Sequence, residues 1–164
     1  MVSRLRFGVW IRPYRWFAFN IMGQDARVPF YGLPAPNTLR DTADLQEAYF
    51  ELGDRDTGFG ANLGRQMLDY GESRVLGTGQ WSNVAKTYDS ARFFYRTKKV
   101  RLEALLISPV RIRPNDFNNP EFGERIWGTY NTFSSIGHGV SLDFYALCHS
   151  QNRRLDRRGY ARHE

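Results

Sequence analysis

The chain has 164 residues, enough for one domain with its own core, and 41% of them are hydrophobic. No run of about 18 apolar residues occurs, which excludes a transmembrane helix, and the single cysteine, Cys148, excludes an internal disulfide. The net charge of +6 favours an anionic partner.

Apolar residues recur with period two almost throughout, which predicts strands rather than helices. The first strand, over 3–12, puts Leu5, Phe7, Val9 and Ile11 on one parity and Arg4, Arg6, Trp10 and Arg12 on the other. Successive side chains of a strand point to opposite faces, so one face is apolar and the other cationic. The second, over 16–26, sets Phe17, Phe19 and Ile21 against Ala18, Asn20, Met22 and Gln24. The third, over 43–53, sets Ala48, Phe50 and Leu52 against Glu47, Tyr49 and Glu51. A fourth is expected over 59–69, where alternation puts Arg65 beside Leu63 and Met67 on the apolar parity. Either a bulge near Gly64 turns Arg65, or it lies at a rim.

The fifth, over 87–97, opposes Ala91, Phe93 and Tyr95 to Ser90, Arg92, Phe94 and Arg96. The sixth, over 100–109, opposes Leu102, Ala104 and Leu106 to Arg101, Glu103 and Leu105. A seventh follows over 125–134. The eighth, over 139–149, opposes Val140, Leu142, Phe144 and Ala146 to Ser141, Asp143 and Tyr145. Strands of about ten residues are long for a soluble sheet and right for crossing a bilayer at a tilt.

The connections alternate in length. Short turns fall near Pro13–Arg15, Asp54–Gly58, Thr97–Lys99 and Ile136–Gly139. Between them come the long stretches VPFYGLPAPNTLRDT, YGESRVLGTGQWSNVAK and 109–124, and a last long connection begins after His149. All seven prolines fall in the expected connections, as suits a strand-rich chain whose ladders need every N–H. A transmembrane barrel has short turns on one rim and long loops on the other. An aromatic content of 15% also suits its interfacial girdles.

Two readings of the faces remain. In a membrane barrel the apolar parity meets lipid and the charges line a wet lumen, which avoids about 2–4 kcal/mol for each cation at the lipid midplane. In a soluble β-barrel or sandwich that binds a ligand, the apolar parity would turn inward and the arginines would face solvent.

Other chemistry finds little support. His138, His149 and His163 lack ligand spacing, so no metal is expected, and no cofactor motif occurs. Glu47 and Glu51, four residues apart on one strand, stand about 13 Å apart, too far for a glycosidase pair. Gly58 and Gly60 lack the strand-to-helix context of a phosphate loop, and no nucleic-acid-binding motif appears. The arginines at 153, 154, 157, 158 and 162 make a basic tail over 150–164, read as a solvated loop.

The segments DLQEAYFEL, GRQMLDYGESRVLG, QWSNVAKTYDSARFFYR and VRLEALLISPV, in that order over 44–110, resemble the alginate-export outer-membrane porin family, as does the earlier FNIMGQDAR. The resemblance implies an antiparallel up-and-down barrel of about eighteen strands in a Gram-negative outer membrane. It also implies a monomer that passes an anionic saccharide or small organic anion, without catalysis. With eight strands and no export signal, the chain reads as a fragment, one partial barrel domain over 1–164 with no internal boundary. The expected substrate path is Arg4, Arg6, Arg92, Arg96 and Arg101, with Glu47, Glu51, Glu103 and Asp143 as counter-charges and Tyr49 beside them. The same residues also suit ion pairs that brace the wall.

Overall fold

A computed structural model describes residues 2–29, 36–54, 56–114, 116–134 and 139–152. Its strands are β1 Ser3–Tyr14, β2 Phe17–Arg27, β3 Asp41–Gly53, β4 Gly58–Gln66, β5 Tyr88–Arg96 and β6 Val100–Arg111. They are followed by the two-residue β7 Asn119–Pro120, then β8 Glu124–Phe133 and β9 Leu142–Gln151. They form one antiparallel sheet in the order β1-β2-β3-β4-β5-β6-β8-β9, with β7 paired to β6. Consecutive strands are neighbours, so the topology is up-and-down.

All eight expected strands are present, with shifted ends. The fourth stops at Gln66 instead of near 69, because the next backbone N–H, that of Met67, bonds the Glu47 carboxylate rather than the ladder (3.2 Å). The eighth runs from Leu142 to Gln151, two residues into the expected tail. The expectations for the tail arginines, for His138 and His163 and for Ile136 in the last turn fall outside the described residues.

The outward face is apolar and open. Leu5, Phe7, Phe50, Phe93, Leu106 and Phe144 are exposed there, Phe7 by 63%. The aromatic residues gather toward the short-turn rim. Tyr14 stacks on Trp16, Trp16 touches Phe17, and Phe17 stacks on Phe50. Farther along, Phe59 packs on Tyr95 and Phe133 on Phe144. Rings with an apolar body and, in Tyr and Trp, a polar tip suit a membrane interface. The sheet is not closed: among the described residues β1 pairs only with β2, and β9 only with β8.

The inward face has two halves. Toward the short turns it carries charges. Toward the long loops Leu105 and Ile107 take over the same parity of β6, and the connection 67–87 folds over them. Leu68, Tyr70 and Leu76 from that connection pack with Tyr88, Leu105, Ile107 and Tyr130 in one buried cluster. Burying this surface, at roughly 25 cal/mol per Å², is what draws the connection inside rather than leaving it above the rim. Two glycines permit close approach. A Cβ on Gly60 would lie 2.4 Å from the Phe94 ring, and one on Gly128, at φ +151°, 1.9 Å from the Ala146 carbonyl oxygen.

Candidate functional site

The charged half of the inward face centres on Glu103. The β5–β6 register sets Arg92 beside Leu105, Phe94 beside Glu103 and Arg96 beside Arg101, so three guanidiniums converge on one carboxylate. Oε1 of Glu103 accepts from Arg101 at 2.7 Å and Arg92 at 2.9 Å, with Arg96 at 3.7 Å. Its Oε2 accepts from the Tyr70 hydroxyl at 2.7 Å. The Glu103 side chain is fully buried, whereas that of Arg101 is 41% exposed. A buried carboxylate costs several kcal/mol unless paired and hydrogen-bonded, and here it is both. Three cations around one anion leave a surplus of positive charge on the inward face.

Two of the three guanidiniums are also held by a second contact. Arg92 bonds Gln66 Oε1 at 3.3 Å and lies over the Tyr70 ring, and Arg96 lies 3.9 Å from the Phe94 ring centroid. The buried Nε atoms of Arg92 and Arg101 have no hydrogen-bond partner among the described residues. Of the two side chains only Arg101 is substantially open, with 41% of it exposed against 12% for Arg92.

A second group lies on β1–β3. Arg6 donates from Nε to Gln24 Oε1 at 2.7 Å, and its buried terminal Nη2 has no partner among the described residues. Glu47 accepts from Asn20 at 2.8 Å and from the Met67 N–H. Arg12 pairs with Glu51 at 3.1 Å and lies over Trp10. Tyr49, half-buried, stands between Asn20 and Gly64 in the register. Arg4 is spent on the infolded connection, donating to the carbonyls of Gln80 and Ser82 at 3.3 and 2.9 Å. Asp143 lies apart on β9, where it accepts from the Tyr130 hydroxyl at 2.5 Å.

The structure thus gathers Arg92, Arg96, Arg101 and Glu103 into one cluster. It places Arg6, Glu47, Glu51 and Tyr49 on β1–β3 in separate contacts, and leaves Arg4 and Asp143 apart from both groups. Sequence reasoning passed over Tyr70, Gln66 and Arg12 as parts of these groups. Arg12 was visible in the alternation of β1. Tyr70 and its contact were not, since nothing in a loop sequence says which strand it will touch.

Arg65 keeps its outward parity. Its register against Ala48 and Asp89 is unbroken through Gly64, so no bulge rotates it. It lies at the long-loop end, paired to Asp89 at 2.8 and 3.2 Å and covered by Phe117, with its side chain only 7% exposed. The segment carrying Phe117 is clasped to β3: Asn118 bonds the carboxylates of Asp41 and Asp44, and Thr42 bonds the Pro114 carbonyl.

An up-and-down antiparallel sheet that is apolar outside and charged inside defines a segment of a membrane β-barrel wall. The chain belongs to the alginate export family, whose model matches residues 22–163. That is a family of outer-membrane transport proteins. No curated protein and no solved structure matches the chain.

Proposed function

We propose that this sheet forms part of the wall of a larger outer-membrane channel that passes anionic saccharides, such as alginate-like uronates, or small organic anions. The observation that supports this best is the convergence of Arg92, Arg96 and Arg101 on Glu103, with the Arg101 side chain 41% exposed. A passing carboxylate meets the exposed part of Arg101 first. Glu103 keeps the local positive charge low enough that the solute leaves again, as conduction requires. The exposed outer residues support lipid as the outward medium and speak against a soluble sandwich, which would bury them. The open edges support further strands, since unpaired backbone does not face lipid. A monomeric barrel and a Gram-negative outer membrane complete the reading.

Planar-bilayer conductance of the barrel that carries this wall tests the proposal. Anion selectivity that falls in Arg92→Ala supports it. Cation selectivity, unchanged by that substitution, overturns it.

A further inference from the structure

Near the long-loop rim, the apolar belt of β1–β3 ends in polar residues on the same outward face. On β2 the outward parity runs Phe17, Phe19, Ile21, Gly23, Asp25, Arg27, and its register against β1 is regular over 19–27, with Ser3 directly opposite Arg27. Phe17 belongs to the aromatic girdle. The ten-residue step from Phe17 to Arg27 is about 33 Å along the strand, or about 25 Å along the membrane normal at a tilt of about 40°. That is the height of a barrel's apolar band, so Arg27 stands at headgroup level on the opposite interface.

There a hollow of about 340 Å³ opens between the strand ends, lined by Ser3, Arg27, Val28, Pro29, Arg40 and Thr42. Both bonds from Arg27 to Asp25 run from Nε, at 2.9 and 3.0 Å, which directs the guanidinium edge-on and neutralises Asp25. Arg40 is exposed beside it and brings a second cation, while the hydroxyls of Ser3 and Thr42 on the same wall donate to the carbonyls of Arg27 and Pro114. Two arginines at a small hollow fit a phosphate group.

We propose that this pocket binds the phosphate of a phosphorylated glycolipid in the outer leaflet, its acyl chains lying down the Leu5–Phe7 and Phe19–Ile21 surface. A free phosphate has the same headgroup chemistry but no use for the apolar wall below, and that wall decides for the lipid. The inference rests on the outward face meeting lipid, as proposed above.

The test measures binding by native mass spectrometry of the protein in detergent micelles, with bisphosphorylated lipid A, its dephosphorylated form and inorganic phosphate as separate probes. The bisphosphorylated form is expected to bind about tenfold more tightly than the dephosphorylated one, and Arg27→Gln with Arg40→Gln to abolish that difference. Arg125→Gln, an outward arginine on distant β8, should change it less than about twofold. Equal binding of the two lipids overturns the site, as does a loss in Arg125→Gln equal to that of the pair. Inorganic phosphate binding as tightly as lipid A overturns the lipid as its source. Quenching of Trp16 fluorescence by brominated acyl chains, read against Trp16→Phe, checks the membrane reading separately. With quenching present, a failed lipid A result condemns the pocket alone; with quenching absent, the membrane reading and the site fall together.

Discussion

The hydroxyl of Tyr70, on the infolded connection, donates at 2.7 Å to the same Glu103 carboxylate that holds Arg92 and Arg101. Three residues earlier the Met67 N–H bonds Glu47. Glu103, which holds the arginines, and Glu47 on β3 therefore both anchor the chain segment that narrows the inward space. Charge on the wall and position of the connection are one mechanical unit.

Tyr70→Phe keeps the ring in the apolar cluster and removes only the bond to Glu103. A hydrogen bond to a charged group contributes about 1.5–3 kcal/mol, and the low end applies here because Glu103 retains its arginines. The expected outcome is faster proteolytic cleavage within 67–87, with strand content by circular dichroism unchanged. Unaltered cleavage would show that the apolar contacts alone hold the segment.

Glu103→Gln removes the charge that three guanidiniums share. Breaking a buried pair costs about 3–5 kcal/mol, and the lower end is expected because Arg101 is open to water. Chemical denaturation in micelles should register the loss. In bilayers the variant should be more anion-selective and pass uronate oligomers more slowly, since each binding event lasts longer. Faster passage would contradict the role given to the acid.

The parts of this fold that follow from alternation were legible. Val9 and Ile21 share the outward parity in the sequence and stand opposite one another in the sheet. The parts that depend on which loop covers which strand were not. Leu105 and Ile107 sit on the charged parity of β6, a visible irregularity, yet only the packing of Leu68 and Tyr70 against them explains it. Arg65 offended the pattern for a similar reason: its partner Asp89 is set by register, and its cover, Phe117, comes from a segment fifty residues on. The arginines were individually legible as inward-facing, but their convergence on Glu103 required the β5–β6 register.

Asp69 makes the infolded connection sensitive to acid. Burial works to raise its pKa, but hydrogen bonds from the Ser73 hydroxyl and from the N–H and hydroxyl of Thr78 outweigh it and hold the carboxyl below the usual range. A carboxylate with a depressed folded-state pKa contributes stability that is full above its unfolded pKa, about 3.9, and is lost as pH falls through the folded value. Hydrogen exchange at 69–78 is therefore expected to quicken below about pH 4, relative to the intrinsic rate. Asp69→Asn should flatten that dependence. An unchanged acid profile in the variant would place the responsible group elsewhere.

Val9→Arg separates the two media that the outward face can meet. Val9 stands opposite Ile21 near the middle of the apolar band and is 52% exposed. In a bilayer an outward arginine at the midplane costs about 2–4 kcal/mol, and the cost falls toward the interfaces. Ser3→Arg, on the same strand and face but beside Arg27 at the rim, should cost at most about 1 kcal/mol. Reversible unfolding in phospholipid vesicles measures both. A depth-dependent difference between the two sites requires a low-dielectric slab of fixed height around the sheet. Equal, small effects at positions 3 and 9 would mean that water reaches both, and the membrane wall would have to be given up.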